Sequence, residues 1–83
     1  MYQVVIEKQA QKQLAKIPPP FYNNIAAALK DLSADPRPHG CKKLKGRPGY
    51  RIRVGDYRII YSIHDKVLIV MILAIGHRKD IYD

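Results

Sequence analysis

The N-terminal segment combines apolar and polar positions in a way that predicts a strand followed by a helix. Residues of high β-propensity fill Tyr2–Ile6, which predicts the first strand. In the next segment, Glu7–Lys16, Lys and Gln occupy one side of a helix and apolar residues recur on the other. The apolar residues are Ala10, Leu14 and Ile17.

A second helix is predicted directly after the first. Three consecutive prolines, Pro18–Pro20, end the first helix, and Pro20 also suits the first turn of the next one. Asp35-Pro36 ends the second helix. Its apolar stripe consists of Phe21, Ile25, Ala28, Leu29 and Leu32. Two amphipathic helices joined by so short a break are typical of a helical hairpin.

The apolar period changes to two in the second half of the chain. Tyr50–Val54 alternates with arginine, Gly55-Asp56 is a favoured two-residue turn, and Tyr57–Ile63 is the predicted return strand. A further turn is predicted at His64–Lys66. The segment after it, Val67–Ile75, is apolar at every position, which suits a strand buried on both faces.

These elements give the order β-α-α-β-β-β and predict a single α+β domain over residues 1–83. We expect a small, mostly antiparallel sheet with the two-helix hairpin packed on one face, which leaves the other face open for function.

One cysteine allows no intramolecular disulfide, and the longest apolar run, nine residues, is too short to span a bilayer. The N-terminus lacks a signal-peptide pattern. The sequence therefore predicts a cytoplasmic protein with no membrane partner.

Basic residues are concentrated in the middle of the chain. Residues 37–58 contain eight of the fifteen Lys and Arg residues but one of the seven acidic residues. So focal a charge predicts a polyanion partner, although a solvated basic face is the alternative. In the predicted loop, residues 36–49, we expect four side chains to bind the phosphate backbone of RNA: Lys42, Lys43, Lys45 and Arg47.

The two-residue turn fixes the register of the hairpin. It places Val54 opposite Tyr57 and therefore Arg53 opposite Arg58. Because directly opposed residues share a face, those two arginines and Arg51 are predicted to lie together, away from the core. Like charges in opposed positions destabilise a sheet, and an anion between them would remove the conflict. The planar fork of arginine favours phosphate as that anion.

The same reasoning extends to the C-terminal segment. If Val67 pairs near His64, Ala74 lies beside Tyr57, and the last strand ends at the Gly55-Asp56 end of the sheet. Three further candidates would then lie close to the arginines: His77, Arg78 and Tyr82.

This set of residues suits a reaction on RNA that needs no metal or other cofactor. The sequence has no zinc-ligand spacing, phosphate-binding loop or Gly-x-Ser-x-Gly. In RNA the ribose 2′-OH is itself the nucleophile, so the protein has to orient it, stabilise the charge on the phosphorane and move two protons. Arginines can stabilise the charge, and His77 or Tyr82 could move protons.

Three motifs resemble the RelE/ParE toxin superfamily. They are Lys43-Leu44-x-Gly46, the run Tyr-Arg-Ile-Arg-x-Gly-x-Tyr-Arg-x-x-Tyr from Tyr50 to Tyr61, and Gly76-His77-Arg78-x-x-x-Tyr82. The central run is similar to the RelE branch in particular. The resemblance implies the toxin of a type II toxin–antitoxin system, a ribosome-dependent endoribonuclease that cuts mRNA in the A site and inhibits translation. It also implies a cognate antitoxin, and operator DNA as a partner through the toxin–antitoxin complex.

The resemblance also assigns roles to residues. Arg51 and Arg53 fall where the family places two catalytic basic residues, often lysine, Arg58 and Arg78 match its two arginines, and Tyr82 matches its C-terminal tyrosine. Arginine does not deprotonate, so its presence at position 51 moves the general-base role toward His77 or Tyr82.

Two other functions are compatible with the sequence. The first is a ParE-like toxin that binds and inhibits DNA gyrase without cleaving RNA, and the second is a degenerate toxin that acts only as a corepressor. The convergent arginines with His77 and Tyr82 favour the ribonuclease, because a gyrase inhibitor does not need them.

Overall fold

Five strands form one mixed sheet in the computed structural model, which describes residues 1–77 and 79. The elements in chain order are β1 (Gln3–Ile6), α1 (Lys8–Ala15), α2 (Phe21–Ala34), β2 (Lys42–Lys43), β3 (Tyr50–Val54), β4 (Tyr57–His64) and β5 (Ile69–His77). The strands lie in the order β1-β5-β4-β3-β2, with β1 parallel to β5 and all other neighbours antiparallel. The predicted α+β class is confirmed. The predicted order lacked β2, which lies in the segment expected to be a loop.

Both helices pack on one face of the sheet. Ile25 and Leu32 of α2 meet Ile59, Tyr61 and Ile72 of the sheet in one buried cluster. Removing these side chains from water is the main force that holds the helical hairpin to the sheet. The arrangement leaves the opposite face of β3 and β4 outside this helix-covered core.

The helices begin and end close to the predicted residues, but the apolar stripe of α2 is shorter than expected. Ile25, Leu29 and Leu32 are buried, whereas Phe21, at the first helical position, is 47% exposed. Its ring lies 5.8 Å from that of Tyr57, where β4 begins. Phe21 thus belongs to the predicted stripe but lies at the edge of the buried core, beside the start of β4.

The predicted register of the β3–β4 hairpin is confirmed at every position. Val54 pairs with Tyr57 and Arg53 with Arg58, and the pairing continues to Tyr50 with Tyr61. Gly55 has a φ of +59°, as a tight turn at this position requires.

The predicted register of β5 was wrong by two residues at His64, which pairs with Ile69, and by three residues at Tyr57. Ala74 pairs with Ile60, and it is His77 that pairs with Tyr57. The turn before β5 is longer than expected: Val67 and Leu68 are 64% and 47% exposed, and the strand starts only after them. The register then shifts between Ile60 and Tyr61.

A polar network holds this turn in place. The carboxylate of Asp65 accepts two hydrogen bonds from the guanidinium of Arg37, the shorter at 3.0 Å, and one from the hydroxyl of Tyr2. The Nε of Arg37 donates to the Tyr50 hydroxyl at 3.3 Å. The bonds from Arg37 and then Tyr2 hold the pKa of Asp65 below its usual value. Arg37 therefore has a structural partner, although it lies in the basic segment expected to bind a polyanion.

Asp65→Asn is expected to lower the midpoint of thermal unfolding at pH 7. A carboxyl group whose pKa is depressed by folding adds stability above its unfolded-state pKa of about 3.9, and this stability is lost as pH falls through the lower folded-state value. The difference in midpoint between wild type and variant should therefore shrink below about pH 4. Asp31→Asn, at an exposed site on α2, is the control. A difference of the same size at pH 3 and pH 7 would contradict the role of this network.

Candidate functional site

Three arginines lie together on the helix-free face of the β3–β4 hairpin, which we call the arginine face: Arg51, Arg53 and Arg58. Arg53 and Arg58 are directly opposed, and Arg51 is two residues from Arg53 on the same strand. Arg53 is exposed, while Arg51 and Arg58 are half-buried and their Nε atoms are buried. The hairpin thus fixes the stems of three guanidinium groups, which can present their donors to one anion.

The short strand β2 adds a fourth cation to this face. Lys42 pairs with Arg51, so the two residues share a face, whereas Lys43 pairs with Tyr50. Lys45 and Arg47 are exposed in the loop that follows. The four lysine and arginine residues expected to bind RNA are thus divided between two strand faces and a loop. A two-residue strand has no periodicity of its own, so no pattern in the sequence could place Lys42 on this face.

The structure places His77 away from the arginine face, contrary to the predicted placement. Its strand partner is Tyr57, and the ring of His77 meets that of Tyr57 edge-on at a centroid distance of 5.8 Å. Tyr57 also contacts Phe21 and packs against the core, so His77 lies on the helix-covered face. Gly76, not His77, is opposite Arg58. The other two predicted candidates from the C-terminal segment, Arg78 and Tyr82, lie outside the described residues.

A groove that the sequence did not predict lies between α2 and the open edge of β3. Its volume is about 440 Å³, and its lining includes Asp31, His39 and residues 51–54. Because β2 pairs only with Tyr50 and Arg51, the edge of β3 beyond Arg51 has no strand partner among the described residues. Sequence periodicity could not reveal this groove, because its walls come from segments far apart in the chain.

Within residues 1–77 and 79, no three His, Cys, Asp or Glu side chains come together as they would to hold a metal ion. In the same part of the chain, no helix has both the length and the apolar character needed to cross a membrane.

Comparisons with known proteins agree with this architecture. A family model described as the ParE toxin of a type II toxin–antitoxin system, parDE, matches residues 4–82. The Toxin RelG of Mycobacterium tuberculosis is 35% identical over 98% of this chain and 95% of its own length. A putative toxin RelE1 of Methanocaldococcus jannaschii is 29% identical over 98% of the chain and 94% of its own length.

Two solved complexes contain similar folds. The toxin–antitoxin complex RelBE2 from Mycobacterium tuberculosis matches with a TM-score of 0.83 and 31% identity, covering 93% of this chain and 98% of that one. The archaeal RelE–RelB complex from Pyrococcus horikoshii OT3 matches with a TM-score of 0.82 and 35% identity, covering 93% and 94%.

Proposed function

The chain belongs to the RelE/ParE superfamily of toxins of type II toxin–antitoxin systems, and we propose that it acts as an endoribonuclease that cleaves mRNA in the ribosomal A site. The observation that carries this proposal is the direct opposition of Arg53 and Arg58, beside Arg51, on a face without helices. Like charges in opposed positions cost stability, and a bound phosphate offsets that cost. Cleavage of mRNA would stop translation and arrest growth.

The chemistry follows from what arginine can and cannot do. The 2′-OH of one nucleotide attacks the adjacent phosphorus and loses its proton, and the bond to the 5′ oxygen breaks as that oxygen gains a proton. The products are a 2′,3′-cyclic phosphate and a 5′-hydroxyl. Guanidinium groups of Arg51, Arg53 and Arg58 stabilise the charge that develops on the phosphorane, without a metal ion or other cofactor. Arginine holds its proton throughout, so a different group must transfer the protons. In this scheme Arg78 joins the arginines on the phosphate, and Tyr82 is a candidate for proton transfer.

The partners follow from the same proposal. The ribosome holds the mRNA, which is the substrate. Contacts to the mRNA phosphates come from Lys42, Lys43, Lys45 and Arg47. A cognate antitoxin neutralises the toxin, in keeping with the RelB antitoxins present in the complexes of similar folds. Operator DNA is contacted only through the toxin–antitoxin complex. All of these partners belong to the cytoplasm.

Inhibition of DNA gyrase is the alternative, because the matching family model describes a ParE toxin. Primer extension on mRNA after induced expression separates the two functions. Cuts at in-frame codon positions support the ribonuclease, whereas intact mRNA together with loss of supercoiling activity by purified gyrase supports the alternative. The double variant Arg53→Gln/Arg58→Gln is the matched control, and it should leave the mRNA uncut.

His77→Ala is expected to retain its single-turnover cleavage rate. The ring of His77 packs against Tyr57 on the face opposite Arg53 and Arg58, which leaves it badly placed to exchange a proton with RNA bound there. A general acid or base usually raises the rate by roughly 10²–10⁴-fold. A loss of cleavage rate of that size would show that His77 takes part in proton transfer. Unfolding curves of the variant separate such a loss from damage to the Tyr57 contact.

A further inference from the structure

We propose that the groove between α2 and β3 binds one unstacked nucleobase of the RNA and prefers bases that carry an exocyclic amino group. The inference rests on the proposed function, since it takes RNA as the ligand. It concerns recognition of a base, whereas the arginine face is proposed to bind phosphate.

The size and the apolar lining residues of the groove suit a nucleobase. Its volume of about 440 Å³ lies within the range of roughly 300–1,000 Å³ that small-molecule sites occupy. Ala28 and Leu32 of α2 line one side, and Ile52 and Val54 of β3 line the other. Single-stranded RNA is recognised by bases that leave the stack, pack against protein side chains and form hydrogen bonds along their edges.

The charges around the groove suit a nucleotide. Lys42, Arg51 and Arg53 are among its lining residues on the β2–β3 side, and their side chains belong to the arginine face across the open edge of β3. A base held in the groove would therefore have its own phosphate at this edge, beside the arginine face. The alternative occupant is a protein segment, which could pair with the open edge of β3. Three cations along the strand edge that borders the groove favour the nucleotide, because every nucleotide carries a phosphate whereas only an acidic peptide would match them.

Asp31 determines which bases we expect the groove to prefer. It is exposed on α2 and is one of the residues that line the groove, and its carboxylate can only accept hydrogen bonds. Guanine, adenine and cytosine present an exocyclic amino donor to such an acceptor. Uracil presents carbonyl oxygens at these exocyclic positions, which a carboxylate repels, and offers only its ring N3–H as a donor. We therefore expect Asp31 to select against uracil at this position.

Binding of short RNA analogues that cannot be cleaved tests the proposal independently of cleavage. Trinucleotides with 2′-O-methyl riboses and each of the four bases at the centre are titrated against the isotope-labelled protein. The methyl signals of Leu32, Ile52 and Val54 should shift on binding, while those of Val5 on the far strand β1 should not. Uracil should bind about tenfold more weakly than the other bases, the size expected for a lost hydrogen bond to a charged group.

The Asp31→Asn variant should reduce this discrimination to about twofold or less, because an amide can also donate to uracil. Glu7→Gln removes the same charge beside β1, at the opposite edge of the sheet, and should leave the discrimination unchanged. The proposal would be overturned if the methyl signals of the groove residues did not shift on addition of RNA. It would also be overturned if wild type and Asp31→Asn discriminated equally against uracil. Groove methyls that shift with a co-purified protein partner but not with RNA would assign the groove to protein and overturn it too.

The two proposals fail in different ways. Base-selective binding in the groove without mRNA cuts in cells would contradict the ribonuclease and leave the groove site standing. Cleavage of mRNA with groove signals that do not respond to RNA would contradict only the groove site.

Discussion

Replacing Arg53 by glutamine is expected to lower the rate of mRNA cleavage by about 10²-fold or more, the usual effect of removing one group that stabilises transition-state charge. The same change should leave the protein at least as stable as the wild type. Arg53 is exposed and directly faces Arg58, so the substitution removes a repulsion worth a fraction of about 1 kcal/mol. A single substitution would thus separate activity from stability, as expected where a site carries a destabilising charge for the sake of its ligand.

The measurement combines single-turnover cleavage on programmed ribosomes with thermal unfolding of the isolated protein. Lys66→Gln, which removes an exposed charge from the β4–β5 turn, is the matched control and should change neither quantity appreciably. Arg53→Lys keeps the charge but loses the planar fork, and its rate should lie between those of wild type and Arg53→Gln. Full cleavage by Arg53→Gln would show that the arginine face is not the site of the reaction.

The arginine face could be predicted because its geometry depends on local sequence. A two-residue turn at Gly55-Asp56 permits one pairing of its flanking strands, and the period of two then decides which residues share a face. No distant part of the chain is needed for that argument. The same is true of the helices, whose ends are marked by proline and by Asp35.

Other parts of the site depend on contacts between distant segments. The register of β5 follows from a turn held by Arg37 and Tyr2, both far from Asp65 in the chain, and from an irregularity opposite Ile60 and Tyr61. An error of three residues, an odd number, moves a side chain to the other face, which is why the placement of His77 failed. The strand β2 exists only through its pairing with Tyr50 and Arg51, and the groove beside it needs α2 as its second wall.

The loop between β2 and β3 ends at a glycine whose replacement should have the largest effect on stability. Gly49 has a φ of +126°, and a Cβ added there would lie 3.0 Å from Cδ1 of Leu44 and 3.1 Å from the backbone oxygen of Tyr61. Leu44 is buried, and its N–H donates to the Gly49 oxygen at 3.0 Å. Gly49→Ala therefore combines backbone strain with overpacking, for a total of about 3 kcal/mol.

Gly46→Ala is the matched control in the same loop. Gly46 has a φ of +74°, but a Cβ there would meet nothing within 4 Å, so only the backbone strain of about 1 kcal/mol applies. For a domain of this size, thermal unfolding should then show Gly49→Ala more than about 10 °C below wild type and Gly46→Ala much closer to it. Equal losses would mean that the approach of Gly49 to Leu44 and Tyr61 is not tight. A selective loss at Gly49 would show that this contact anchors Leu44, and with it the loop between Lys43 and the first residue of β3.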